Sequence, residues 1–153
     1  MSPKISVIVC TYNRAEFITQ NLDSFLKQSI PASDFEIIFV NNNSPDNTED
    51  IALGWKEEHP EIAMGYFLEM NQGHTYARNR GIEESTGTYL AFIDDDAFDP
   101  GPFFRRKQFY GSINAGEHPA PFDIGHQDGS RSGGNGHGHV HNVFVLQIEL
   151  RNA

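Results

Sequence analysis

The chain has 153 residues, room for one domain of ordinary size, and its 38% hydrophobic residues include 12 Phe and 5 Tyr, enough to build a core. A formal net charge of −10 repels nucleic-acid backbones and anionic lipid surfaces, and a single cysteine, Cys10, excludes an internal disulfide or a cysteine-rich zinc site. No apolar run reaches the ~18 residues of a membrane span and the start MSPKISVIVC lacks a signal-peptide cleavage pattern, so the expectation is a cytoplasmic protein without an integral membrane segment.

KISVIVC (Lys4–Cys10) is a short β-branched run of the kind that forms a strand buried on both faces, and Thr11-Tyr12-Asn13 ends it. Asn13, with Glu16 three residues on, predicts a capped helix start; Ile18, Leu22, Phe25 and Leu26 then share one helical face. FEIIFV (Phe35–Val40) predicts a second strand. Ser44 followed by Pro45 predicts the start of a second helix, which carries Ile51, Ala52 and Trp55. GYFLEM (Gly65–Met70) is a weaker third strand, a third helix is expected over about Thr75–Glu84, and TYLAFI (Thr88–Ile93) is the fourth strand. Strands alternating with helices at this density predict an α/β fold. Parallel neighbours need crossovers, so the expected architecture is a Rossmann-like open, mostly parallel sheet with helices on both faces.

Composition changes near Pro100. Residues 1–100 hold 6 basic and 17 acidic side chains, whereas residues 101–153 hold 5 and 4, together with 9 of the 14 Gly and 5 of the 7 His. Such a Gly/His-rich stretch offers little apolar surface to offset backbone ordering of ~1–2 kcal/mol per residue, so mobility is expected over Gly125–Asn142. VFVLQIEL (Val143–Leu150) is the exception: its alternation suits a strand added to an exposed sheet edge or paired with another molecule. His137, His139 and His141 alternate and would share a strand face, but lack a fourth metal ligand.

In open parallel sheets ligands bind beyond the carboxyl ends of the strands. Here the strands are followed by Thr11-Tyr12-Asn13, Asn41-Asn42-Asn43-Ser44, Asn71-Gln72-Gly73-His74 and Asp94-Asp95-Asp96, all on one edge. Helix N-termini start from that edge and favour an anion such as phosphate. Three consecutive aspartates repel one another, and a divalent cation relieves them; oxygen-only ligands favour Mn²⁺ or Mg²⁺ over Zn²⁺. No G-x-x-x-x-G-K-[ST] loop is present and no G-x-G-x-x-G follows the first strand, which argues against a P-loop NTPase and a dinucleotide-binding domain. A phosphoacceptor receiver would need acidic residues where Thr11, Tyr12 and Asn13 stand. Cys10 and His74 read as structural.

SVIVCTYNR (Ser6–Arg14), EIIFVNNNSPDNT (Glu36–Thr48) and NQGHTYARNRGIEESTGTYLAFIDDDAFDP (Asn71–Pro100) resemble, in order and spacing, the nucleotide-sugar half of family-2 glycosyltransferases with the GT-A fold. The resemblance covers about residues 1–104, taken as the donor-binding domain, and leaves 105–153 as a divergent or poorly ordered tail. It implies transfer of a sugar from a nucleoside-diphosphate sugar, expected to be a UDP-sugar, to an unidentified acceptor with help from Mn²⁺ or Mg²⁺. Thr11, Tyr12, Asn41, Asn42, Arg78, Asp94 and Asp95 become the candidate donor contacts: Tyr12 beside the base, Asp94 toward the ribose, Arg78 toward the diphosphate. Asp94, Asp95 and Asp96 become the candidate metal ligands. The family usually has an Asp-Asp or Asp-Asn pair where Asn41 and Asn42 stand, so the base-reading charge is missing here. No general base is identified, since the only adjacent Glu-Asp pair, Glu49-Asp50, falls in the second helix. A second expectation is a truncated or frame-shifted, non-catalytic remnant that binds nucleotide-sugar without turnover.

Overall fold

A computed structural model describes residues 3–97 and the backbone of residues 143–147. The elements are β1 (Ile5–Thr11), α1 (Ala15–Phe25), β2 (Phe35–Asn41), α2 (Thr48–Glu58), β3 (Met64–Leu68), α3 (His74–Glu84), β4 (Tyr89–Asp94) and β5 (Val143–Gln147). They form one sheet in the order β3-β2-β1-β4-β5, with the first four strands parallel and β5 antiparallel to β4. The expected α/β architecture is therefore present, and part of VFVLQIEL does extend the sheet edge. The boundary at residue 104, the mobility expected for Gly125–Asn142 and the alternating His137, His139 and His141 lie outside the described residues.

Strand order follows from handedness. The chain steps from β1 to β2 to β3 in one direction, then returns to place β4 on the far side of β1. Right-handed crossovers put α1 and α2 on one face and force α3, which serves the return step, onto the other. Alternation along each strand then fills both layers. Val7 and Val9 join Ile37 and Phe39 beneath Ile18, Leu22 and Trp55, whereas Ile8, Ile38 and Val40 pack with Leu90 and Phe92 beneath Ala77.

Glycine at residue 81 in the third helix has a packing basis. A Cβ on Gly81 would stand 2.4 Å from Cγ2 of the buried Ile8, so glycine lets α3 lie close on β1 and β2. Gly81→Ala gains ~1 kcal/mol of helix propensity. Overpacking against a side chain with nowhere to go costs roughly 1–3 kcal/mol. A net loss of stability is expected in urea unfolding, and a gain would show that the helix has slack.

The helix starts differ from the expected ones. Asn13 adopts a left-handed φ of 54° rather than capping α1, and α2 begins at Thr48, four residues beyond Ser44. One side chain explains both: Asp46 accepts from the Ala15 N–H at 3.0 Å and from the Thr48 N–H at 3.1 Å and hydroxyl at 2.6 Å. It thus caps two helices at once. Desolvation pushes the Asp46 carboxyl up, but the bonds from the Thr48 hydroxyl and from the Ala15 and Thr48 N–H groups outweigh it and hold it below the usual 3.8. Asp46→Ala should cost about 2 kcal/mol at pH 7. A depressed carboxyl stabilises the fold above its unfolded value and loses that contribution as pH falls through the folded one. The deficit should accordingly shrink below pH 3.8, and a pH-independent deficit in denaturant midpoints would contradict the cap.

Among the described residues no helix is long and apolar enough to cross a membrane.

Candidate functional site

Strand order reverses between β1 and β4, and a cleft of about 460 Å³ opens at their carboxyl ends. Cys10, Thr11, Tyr12 and Arg14 reach it from the end of β1, Asn42 from β2, Gln72, Gly73, His74 and Ala77 from the start of α3, and Asp94, Asp95 and Asp96 from the end of β4. Thr11, Tyr12, Asn42 and the three aspartates are thus brought together.

Asn41 and Arg78 do not line the cleft. Asn41 is buried, donating from Nδ2 to the Tyr66 hydroxyl at 2.9 Å and accepting at Oδ1 from the Ser44 N–H at 2.8 Å. Arg78 sits over the Phe92 ring, 5.3 Å from its centroid, on the α3 side of the sheet.

Asn42 lines the cleft, yet its amide is engaged elsewhere. Nδ2 donates to the carbonyls of Glu69 at 3.1 Å and Asn71 at 2.7 Å, and Oδ1 accepts from the Gly73 N–H at 2.9 Å. The orientation is fixed, because carbonyls only accept and an N–H only donates. Gln72 closes the clamp by donating from Nε2 to the Asn42 carbonyl at 2.7 Å. Asn42 therefore holds the loop that aims the N-terminus of α3. Gly73, at φ +136°, occupies the N-cap and has no side chain to offer the first-turn N–H groups. Since Asp46 serves α1 and α2, α3 alone among the described helices turns an uncapped end to the cleft.

The aspartates differ in setting. Asp95 accepts from the Thr11 hydroxyl at 2.7 Å, while Asp96 pairs with Arg14 at 3.2 Å with both side chains about half exposed, at 50% and 47%. Burial raises the Asp95 carboxyl above its usual 3.8; the Thr11 bond and Arg14 oppose this, and the charges of Asp96 and Asp94 add to it. Among the described residues no three His, Cys, Asp or Glu side chains are grouped to hold a metal ion. The aspartates are thus no ready-made cage, because Asp95 turns to Thr11 and Asp96 to Arg14. Their turn is held from behind: Asn21 in α1 donates from Nδ2 to the carbonyls of Asp94 at 3.0 Å and Ala97 at 2.8 Å, and the Ala97 N–H bonds the Asp94 carbonyl at 2.9 Å.

Tyr12 is 50% exposed, so it is no core residue, and it lines the cleft. Burial pushes the Cys10 thiol up to about 12, against the pull of Arg78, so it stays protonated and unreactive at neutral pH. His74, expected to be structural, instead opens α3 on the cleft wall and is exposed. Sequence reasoning also passed over Arg14, although it closes the quoted Ser6–Arg14 segment, and Asn21, whose only signal was a polar residue on an apolar helix face.

The profile of the family described as "Glycosyl transferase family 2" matches residues 6–106, more than half of the chain. The chain belongs to glycosyl transferase family 2. Relatives include the uncharacterized glycosyltransferase EpsJ of Bacillus subtilis, 38% identical over 106 residues, and the glycosyltransferase AglE of Haloferax volcanii, 38% identical over 94. These alignments cover 69% and 61% of this chain but only 30% and 31% of the relatives, so the chain spans about a third of their length. Among solved structures, the mannosyltransferase PcManGT from Pyrobaculum calidifontis, in complex with GDP-Man and Mn²⁺, superposes with a TM-score of 0.64 at 30% identity, over 74% of this chain and 32% of that one. TarS 1-349 of S. aureus, in complex with UDP-GlcNAc, gives 0.54 at 30% identity, over 62% and 27%. The fold is accordingly that of the GT-A members of family 2.

Proposed function

We propose that the cleft binds the diphosphate of a nucleoside-diphosphate sugar together with Mn²⁺ or Mg²⁺, and that residues 1–104 form the donor-binding unit of a glycosyltransferase, with β5 borrowed to complete the sheet edge. The carrying observation is the meeting, at one topological switch point, of three carboxylates with the uncapped N-terminus of α3. Family membership and the likeness to structures holding GDP-Man with Mn²⁺ or UDP-GlcNAc support the same reading.

The donor set fits a hard divalent ion: carboxylate oxygens, crowded and partly desolvated, with no thiolate available. Such an ion typically takes one or two carboxylates and completes its shell with substrate oxygens and water, which suits a site that is no closed cage. Asp96 and Asp94 would hold it, and when bound it supplies charge neutralisation of the leaving diphosphate. Asp95, tied to Thr11, keeps the turn in place. The first-turn N–H groups of α3 would receive a phosphate oxygen, Arg14 would be freed to approach the anion once Asp96 turns to the metal, and the Tyr12 ring would lie against the base. Asn42 acts here through the loop it clamps, and Asn41 and Arg78 serve the frame behind the cleft.

Calorimetric titration of the chain with UDP-GlcNAc and with GDP-mannose tests this. Binding of at least one donor is expected in Mn²⁺ or Mg²⁺ and should fall at least tenfold in EDTA. Binding of equal strength without metal, or none with it, would contradict the reading.

A further inference from the structure

Asn21 breaks the pattern of its helix. It lies on the inward face of α1 with Ile18, Leu22 and Phe25, is 0% exposed, and stands where the apolar period calls for a hydrophobic side chain. Its Oδ1 is buried with no hydrogen-bond partner among the described residues. A residue selected for stability alone would not leave that acceptor unmet, since a buried unsatisfied polar atom is a net cost. The other end of the amide is fully used. Both Nδ2 hydrogens go to carbonyls, of Asp94 and Ala97, that bracket the aspartate turn, and reversing the amide would set its oxygen against both of them.

We infer that Asn21 is a positioning residue: from inside α1 it fixes the Asp94–Ala97 turn, so that the carboxylates of Asp94 and Asp96 stand where the diphosphate and its metal bind. The inference rests on the proposed reading of the cleft. The geometry is that of an outer-layer support. Asn21 touches no ligand, but the backbone carbonyl it holds belongs to Asp94 itself, and the second anchor lies one residue beyond Asp96. A rigid support beneath ligating side chains keeps their aim within the narrow tolerance that metal and diphosphate binding need, and losing such a support typically lowers metal affinity 10–100-fold.

The test uses the full 153-residue chain with Mn²⁺ and UDP as probes, following free Mn²⁺ by electron paramagnetic resonance and stability by thermal melting. Asn21→Leu keeps the heavy-atom count and branching and removes both donors, Asn21→Ser keeps one short donor, and Ile18→Val controls for a loosened α1. Mn²⁺ affinity in the presence of UDP is expected to fall about 10–100-fold in Asn21→Leu. Asn21→Ser should lose less, and Ile18→Val should keep full affinity at comparable melting temperature. Full affinity in Asn21→Leu, or an equal loss in Ile18→Val, would overturn the proposal. If Asn21→Leu does not fold, Asn21→Ser decides; failure of both to fold where Ile18→Val folds would make Asn21 a fold residue and overturn it as well. Asp96→Asn separates the two readings. Should Asp96→Asn retain full Mn²⁺ affinity, or the unmodified chain bind no Mn²⁺ with UDP, the cleft reading fails and the inference with it; should only Asn21→Leu retain it, the inference alone fails.

Discussion

Asn42→Asp, which places a carboxylate at the second position of the Asn41-Asn42 pair, is expected to destabilise the protein by roughly 3–5 kcal/mol at pH 7. Two donors are lost at once. The carbonyls of Glu69 and Asn71 would face a carboxylate oxygen in place of an amide nitrogen at 3.1 and 2.7 Å, in a side chain only 5% exposed. Each orphaned carbonyl costs about 1–3 kcal/mol, and the repulsion adds to it. The neighbouring Asn41→Asp should cost about 1 kcal/mol, although it is equally buried. Its Oδ1 contact to the Ser44 N–H survives, and the Tyr66 hydroxyl can rotate to donate where it now accepts. Acid should partly rescue Asn42→Asp. The new carboxyl is held above its unfolded pKa by burial and by the two carbonyls, so its stability is fully present below the unfolded value and lost as pH rises through the folded one. Urea unfolding of both variants between pH 4 and 8 checks this, and equal losses in the two would show that the clamp is not the reason asparagine stands at residue 42.

Asp96→Asn should lower metal-dependent donor affinity on the order of 100-fold, or about 2.7 kcal/mol, while leaving stability within about 0.5 kcal/mol. The separation follows from its setting. Asp96 is half exposed, and its one ion pair among the described residues is to Arg14 at 3.2 Å; exposed pairs of this kind contribute ~0–1 kcal/mol. Breaking it to take a metal therefore costs little, whereas losing the negative ligand removes a main attraction for the ion. Asp95→Asn should have the smaller effect on the metal. Its carboxylate is more buried and tied to Thr11, so the amide substitution should be tolerated by the fold and should reduce affinity less than Asp96→Asn. Donor titration in Mn²⁺ beside a melting curve measures both quantities. A loss of stability that matches the loss of affinity in Asp96→Asn would place it in the frame rather than the site.

β1 and β2 were legible because each is a β-branched run buried on both faces, and β4 because it is a buried apolar run ending in aspartates, whereas β3, an edge strand with no β-branched residue, gave a weaker signal. Strand order was not legible, since only the return of β4 to the far side of β1 creates the switch point, and that depends on which helix crosses which face. Helix starts were misplaced where local caps were assumed. Asp46, 31 residues from Ala15, outcompetes Asn13, and a contact at that separation leaves no local signal. The cleft was legible as an edge but not in its division of labour. Residue type alone cannot tell a cleft-lining amide from a clamp, so Asn41 and Asn42 read as base contacts until their partners were seen. Arg14 and His74 became visible only when β1, α3 and β4 were brought to one edge.

The most direct test of the cleft assignment is residue-resolved NMR of the chain with a trace of Mn²⁺ in the presence of UDP-GlcNAc or GDP-mannose. Paramagnetic broadening falls steeply with distance from the ion. The strongest broadening is expected at Thr11–Arg14, Gln72–His74 and Asp94–Ala97. Ser6, Glu36 and Gly87, which meet in a hydrogen-bond knot at the opposite end of the sheet, should stay sharp. Broadening centred on that opposite end, or on the acidic first turn of α2 at Glu49 and Asp50, would contradict the assignment.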